Sequence, residues 1–374
     1  MPTRLSELDW TRVILVFAVY LHHVGMPFNG DDWVIMNAQS SKLLDHIMVY
    51  FEQFRLPTLF VIAGAGAYLL LSKISPFTFA WDKVKRLFLP LLVGMIFIIP
   101  PQLYFKNPAA YESLWVAYPA LALEFDSMHL WFIEYLFVFS VLAIPLHLFF
   151  TSRLAEGGFR VFGRIVHHPL GLLSFGLLLA GMRVWLKEHF PSDSSGIENL
   201  SSSLYYLFFF IMGMVLVQRA DFWQRLGERW LWHSAVLAVL SVVFYLYYFL
   251  DFSTYASHAV LWSIWWALGS LVAWTAALCI LGVAQRFLTV TPDWLRRANE
   301  LIYPFYILHQ TVIVILAFYI VQWPFGIGIK ISVLFLSSFL VTALICTRVI
   351  YPLNGMRVLF GLKTKQRMKA SYAA

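Results

Sequence analysis

The chain has 374 residues, of which 60% are hydrophobic and only 13% charged, with a mean hydropathy of +0.73. A soluble domain carries roughly 25% charged residues, so the composition excludes an ordinary water-soluble enzyme. The formal net charge of +7 reads as a topology signal and a contact with lipid headgroups rather than a nucleic-acid footprint.

Hydrophobic runs of near 20 residues, each long enough to cross about 30 Å of hydrocarbon, recur along the chain. They lie near residues 10–28, 46–72, 86–105, 129–151, 169–187, 203–218, 230–250, 259–285, 301–322 and 328–350. The expected fold is all-α, a polytopic membrane bundle of about ten transmembrane helices forming a single domain over residues 1–374. The first run is expected to stay as a span, since its apolar stretch is too long for a signal peptide and no cleavage pattern follows Gly25-Met26-Pro27. The two cysteines, Cys279 and Cys346, fall inside spans without CxxC spacing, so neither a disulfide nor a metal site is expected.

Charge sets the expected orientation. Arg4 precedes the first run; Lys73, Lys83, Lys85 and Arg86 follow the second; Arg153, Arg160 and Arg164 follow the fourth. Arg219, Arg225 and Arg229 follow the sixth, Arg286, Arg296 and Arg297 the eighth, and Arg357, Lys363, Lys365, Arg367 and Lys369 form the tail. The alternate loops carry Asp31, Asp32, Asp45, Glu112, Glu124, Asp126, Glu188, Asp193, Glu198 and Asp251. The positive-inside rule then predicts that both termini are cytoplasmic.

Polar residues inside the spans are expensive and mark functional pathways. In the first span Arg12 and His23 are eleven positions apart, which places them on one helix face about 16 Å apart along the axis. Arg12 alone reads as a snorkelling anchor; His23, past the midplane on the same stripe, turns the pair into a candidate reaction centre. His22 points about 100° away. In the second span, Arg55 stands before Pro57 and a Gly/Ala cluster suited to a kink and close helix approach. It needs an acidic or carbonyl partner, or an anionic ligand. Lys83-Val84-Lys85-Arg86 precedes the third span, fitting anionic lipid or the docking of a phosphorylated donor.

The fourth span opens on His129-Leu130-Trp131-Phe132-Ile133-Glu134. Glu134 lies about 7.5 Å deeper than His129, and a carboxylate there orients the His23 imidazole or neutralises Arg55. In the eighth span Trp262, Trp265 and Trp266 fit an interfacial belt and helix packing, with a sugar groove as the alternative. In the ninth, Tyr306, His309 and Gln310 fall at i, i+3 and i+4 on one stripe, as interhelical hydrogen-bonding groups or as the lining of the same cavity.

Five of these motifs, in order, resemble the acyltransferase-3 family of integral membrane acyltransferases. They are Arg12-x10-His23, Phe54-Arg55-Leu56-Pro57 running to Gly64, Lys83-x-x-Arg86 before a Leu-Pro step, His129-Leu130-Trp131-Phe132, and Tyr306-Ile307-Leu308-His309-Gln310. Within the family the chain looks most like the branch that succinylates osmoregulated periplasmic glucans. Two positions depart from the family pattern: Ala63 stands where a serine is usual, and Lys83 where an arginine is usual, keeping the charge but losing the bidentate fork.

The resemblance implies a bacterial inner-membrane enzyme that O-acylates an extracytoplasmic glycan with an acetyl or succinyl group. Its co-substrate would be cytoplasmic acyl-CoA, with no permanently bound cofactor and no metal. Its partners would be the donor, a carbohydrate acceptor and the bilayer, and no nucleic acid. On this reading His23 is the general base or an acylated intermediate, Glu134 orients it, and Arg12, Lys83 and Arg86 hold the donor. Arg55, His129, Trp131, Tyr306 and His309 bind substrate or the oxyanion. The competing readings are a proton-coupled transporter or glycan-lipid translocator with a His23, Glu134 and His309 relay, against which the lack of inverted repeats counts, and a non-catalytic envelope scaffold.

Overall fold

A computed structural model describes residues 5–192, 194 and 196–365. Arg4, Asp193, Arg367 and Lys369 of the topology argument lie outside the described residues. The α-helices run α1 (Ser6–Gly25), α2 (Lys42–Phe51), α3 (Arg55–Leu71), α4 (Pro76–Lys83), α5 (Leu89–Val93) and α6 (Ile99–Lys106). They continue as α7 (Leu114–Leu123), α8 (Trp131–Phe150), α9 (Glu156–His167), α10 (Gly171–His189), α11 (Leu200–Gln218) and α12 (Ala220–Glu228). The last are α13 (Trp230–Phe249), α14 (His258–Phe287), α15 (Asp293–Ile320), α16 (Ile327–Ile345) and α17 (Asn354–Leu359). No strand occurs among the described residues.

By length and composition, nine stretches among the described residues can cross a membrane, and a tenth is reached if the pair Arg153–His167 and Gly171–His189, bent by 110°, counts as one span. The chain is a polytopic helical membrane protein. Differences from the expected elements are local. The second span is broken after Phe51, so that Pro57 stands in the first turn of α3, where its missing N–H has no helical partner to lose, rather than kinking a continuous helix. The ninth begins earlier, at Asp293. The short helices α7, α9 and α12 were not expected.

The helices form two compact units. The first comprises the described residues of Met1–Leu15, Phe51–Phe79 and Val138–Pro292. Its tightest seam joins α3 to α11: a Cβ at Gly64 would stand 1.9 Å from the Phe210 carbonyl oxygen, and one at Gly213 2.0 Å from that of Val61. Backbones that close require small residues on both helices. Trp274 is fully buried and donates Nε1–H to the Leu172 carbonyl at 2.7 Å, fixing α14 against α10. The C-terminal carbonyls of α9 lack helical partners. Arg229 supplies them, with Nη1 on Val166 (2.9 Å) and His168 (2.5 Å) and Nη2 on His167 (2.6 Å).

The second unit comprises the described residues of Val16–Tyr50, Ala80–Phe137 and Asp293–Ala374. Three single π-helical turns interrupt its helices, at Val84–Phe88, Gly94–Ile98 and Cys346–Ile350. Each closes with an i→i−5 bond, Leu89 to Val84, Ile99 to Gly94 and Tyr351 to Cys346, and the next residue is Pro90, Pro100 or Pro352. A proline inside a helix removes a donor and crowds the carbonyl four residues back; a widened turn ahead of it gives that carbonyl room. The carbonyls released in front of the Pro100-Pro101 pair are taken by side chains: Tyr118 OH donates to Ile96 (3.1 Å) and Phe97 (3.3 Å), and Thr311 Oγ1 to Ile98 (2.8 Å). Arg357, also in this unit, is fully buried. It pairs with Glu300, donates Nε–H to Lys363 O (2.6 Å) and Nη1–H to Tyr351 O (3.2 Å), and lies over the Tyr351 ring.

Candidate active site

Three histidines, far apart in the sequence, meet in the second unit. The ring centroids of His23 (α1) and His309 (α15) are 5.0 Å apart, those of His129 and His309 5.4 Å, and those of His23 and His129 6.4 Å. His129 lies in the 3-10 turn Met128–Leu130 that leads into α8. His309 and His129 are buried, and His23 is half-buried beneath Trp33, whose indole stacks on it at 6.4 Å and 14°. Phe305 stacks against His309, and Tyr20 meets it edge-on.

The hydrogen bonds fix where the protons sit. His309 Nδ1 lies 2.5 Å from the Tyr306 carbonyl oxygen. A carbonyl only accepts, so Nδ1 carries the proton and, in the neutral ring, Nε2 is the acceptor. His309 Nε2 is 2.7 Å from His23 Nδ1, so His23 donates from Nδ1 and bears its lone pair on Nε2. The assignment follows from the acceptors that the backbone supplies. A backbone carbonyl, through one imidazole, thus selects the basic nitrogen of another, the arrangement by which a neighbour sets histidine tautomer and orientation.

A second chain of bonds holds His129. Its Nε2 donates to the Ile307 carbonyl at 3.1 Å, and Tyr306 OH donates to the His129 carbonyl. Gln102, fully buried at the start of α6, donates Nε2–H to Thr311 Oγ1 at 2.6 Å and stands 3.5 Å from His129 Nδ1. Its Oε1 accepts from Gln310 Nε2 at 3.0 Å. Every donor in this chain has an acceptor, as a buried polar network requires.

Of the residues singled out in the sequence, the structure brings together His23, His129, Tyr306, His309 and Gln310. Tyr306 and His129 each donate to a backbone carbonyl, which braces the cluster. His309 is the hydrogen-bond partner of His23 Nδ1. Glu134 is half-buried on α8, and Trp131 packs edge-on against Phe132 and Tyr135. Gln102, Thr311 and Trp33 were not expected at the site. An amide directly after Pro100-Pro101 in an apolar run is a legible signal for Gln102; Trp33, in a loop, gives none.

Arg12, on the same helix as His23, is 3.5 Å from Asp9. Lys83 ends α4, and Arg86 stands on the first π turn, with Nη1 3.9 Å from Asp82 and Nε donating to the Gly361 carbonyl at 3.2 Å. Lys85 lies over Trp81. Arg55 belongs to the first unit, where it is buried beside a cavity. Among the described residues no group of three or more His, Cys, Asp or Glu is arranged to hold a metal ion.

Comparison with known proteins shows the family. A family model described as an acyltransferase domain, of the acyltransferase-3 type, matches residues 5–351. The chain is 27% identical over 231 residues to glucans biosynthesis protein C of Salmonella typhi and to that of Salmonella typhimurium, and 26% identical over 230 residues to that of Salmonella paratyphi B. Each match covers 57% of the chain and 58% of the relative's length. No solved structure matches. With the model running through nearly the whole helical bundle, the chain belongs to the acyltransferase-3 family of membrane acyltransferases.

Proposed function

We propose that the chain is an O-acyltransferase of a bacterial inner membrane, moving an acetyl or succinyl group from cytoplasmic acyl-CoA to a sugar hydroxyl of an extracytoplasmic glycan. The observation that carries the reading is the His23–His309–Tyr306 carbonyl chain, which leaves His23 Nε2 as the basic nitrogen. In the reaction His23 Nε2 takes the proton of the hydroxyl as its oxygen attacks the thioester carbonyl. A C–O bond forms, the tetrahedral intermediate collapses, the C–S bond breaks, and the histidine returns its proton to the departing thiolate. The nascent charge on His23 is shared along the bond to His309, which Tyr306 holds by its carbonyl.

The family, together with relatives named for glucan biosynthesis, supports a glycan acceptor. Clusters of basic residues in alternate loops support cytoplasmic termini. Lys83 and Arg86 are assigned to the phosphates of the donor, with Arg12 assigned on its place in α1 alone. Arg86 enters that role already tied to Asp82 and Gly361. Lys83 brings a point charge on a flexible stem, without a guanidinium's fixed fork.

The test is transfer from radiolabelled acetyl- and succinyl-CoA to a glucan acceptor by purified protein. The His23→Ala variant is expected to lose transfer by about 10³-fold or more while migrating as a folded monodisperse species. Normal transfer by that variant would sink the mechanism. Thermal stabilisation by acyl-CoA should persist in it, since the donor phosphates are held elsewhere.

A further inference from the structure

We propose that the first unit holds a second ligand site, one that binds an oxyanion attached to a small hydroxyl-rich molecule. The site is a cavity of about 310 Å³ between α3, α10, α11 and α14, lined among others by Arg55, Arg183, Tyr205, Trp266, Gln53 and Ser270. None of its lining residues belongs to the histidine cluster.

Arg55 is 7% exposed, and its Nε has no hydrogen-bond partner among the described residues. A buried guanidinium with an unanswered N–H is costly, and a ligand oxyanion entering the cavity would answer it. Arg183 is held as a rigid donor. Its guanidinium lies over Tyr205 at 4.4 Å and Trp266 at 5.3 Å, and Nη1 donates to Ser201 O (2.8 Å) and Oγ (3.3 Å). That arrangement consumes one nitrogen of the fork and leaves Nε and Nη2 for a ligand. Paired N–H donors in a fixed plane match a phosphate or carboxylate.

Charge supports an anion. Glu52 also lines the cavity and its carboxylate acts on Arg55, which leaves the two arginines with one positive charge in excess. Lys187 lies nearby, its Nζ 4.7 Å from the centre of the Trp266 ring and donating to Ser192 O at 2.6 Å. Size and the remaining lining point beyond a bare ion. The volume is at the lower end of small-molecule pockets, and Gln53 and Ser270 offer neutral polar groups suited to hydroxyls. Gly269 leaves the wall open, since a Cβ there would fall 2.6 Å from Gln53 Oε1. A sugar phosphate and the phosphoglycerol headgroup of a lipid share this chemistry.

The experiment uses the full chain in detergent and reads binding, so its failure and the failure of acyl transfer are separable. The soluble arm compares glucose 6-phosphate with glucose at constant ionic strength. The lipid arm compares phosphatidylglycerol with phosphatidylcholine in mixed micelles. One anionic probe is expected to raise Tm by roughly 3 °C at saturation, its neutral or zwitterionic counterpart not. Arg55→Gln and Arg183→Lys should each weaken its Kd by about 10- to 100-fold; the second keeps the charge and loses the fork. A response confined to glucose 6-phosphate identifies a saccharide ligand, and one confined to phosphatidylglycerol a lipid. No preference for either anion, or wild-type affinity in both variants, overturns the proposal.

Discussion

An imidazole is a base only at the nitrogen that lacks the proton, so the chemistry of His23 turns on what faces its Nδ1. That partner is His309 Nε2 at 2.7 Å, itself made an acceptor by the Tyr306 carbonyl. In the proposed reaction His309 is therefore a positioning residue, and its replacement separates tautomer control from packing. His309→Leu should lower kcat by about 10³- to 10⁴-fold, the scale of a wrong tautomer in other histidine-base enzymes, with KM for acyl-CoA unchanged. His309→Gln offers an amide oxygen near the place of Nε2 and should recover at least about 10-fold of that loss. Steady-state kcat and KM for the two variants decide it, and equal losses would count against the relay. Each histidine is visible in the sequence as a polar residue in an apolar run. Their pairing is not, because periodicity relates positions within one helix, whereas His23 and His309 are 286 positions apart.

Two features of the elements carry measurable consequences. The first is the seam between α3 and α11. The Gly/Ala cluster after Pro57 is legible as a close-approach motif, but the glycine that bears the contact is not. Gly64 faces the Phe210 backbone at a distance no Cβ tolerates, while a Cβ at Gly66 would meet nothing within 4 Å. Gly64→Ala must push the α3 and α11 backbones apart and should destabilise by about 3 kcal/mol or more, lowering the apparent Tm in detergent. Gly66→Ala should leave Tm unchanged or slightly raised, since alanine is the better helix former. Similar Tm losses for both would mean the seam is looser than described. The second feature is the Pro100-Pro101 break, whose released carbonyls enlist Tyr118 and Thr311. Thr311→Val, nearly equal in shape, strips the donor from Ile98 and the acceptor from Gln102. It is expected to cost about 1–3 kcal/mol and to reduce transfer with it, because Gln102 also faces His129. Thr311→Ser restores the hydroxyl and should restore both, measured by thermal unfolding and turnover in parallel.

At the scale of the molecule, hydropathy located the spans because a lipid-facing helix must be apolar along its length, whatever its neighbours are. Segments that do not obey that demand escaped it. The helices α9 and α12 carry Arg160, Arg164 and Arg225 beside apolar residues, a pattern that hydropathy averages to nothing and that only an amphipathic reading detects. At the bend of 110° between α9 and α10, the Arg229 guanidinium reaches back 61 to 63 positions to three carbonyls. Orientation is a different matter, since it rests on charge alone. Lysine and arginine cluster in alternate loops, and the rule that retains them on the cytoplasmic side places Lys73 and Arg296 inside, and Asp126 and Asp251 outside. The proposed reaction depends on this polarity, because the donor is made inside and the acceptor waits outside. Single cysteines introduced at these four positions, in a background with Cys279→Ala and Cys346→Ala, test it directly. A membrane-impermeant maleimide added to intact spheroplasts should label the Asp126→Cys and Asp251→Cys variants. It should reach Lys73→Cys and Arg296→Cys only after the membrane is opened. The reverse pattern would put the basic face of the protein outside, away from any acyl-CoA, and would remove the basis for assigning Lys83 and Arg86 to the donor.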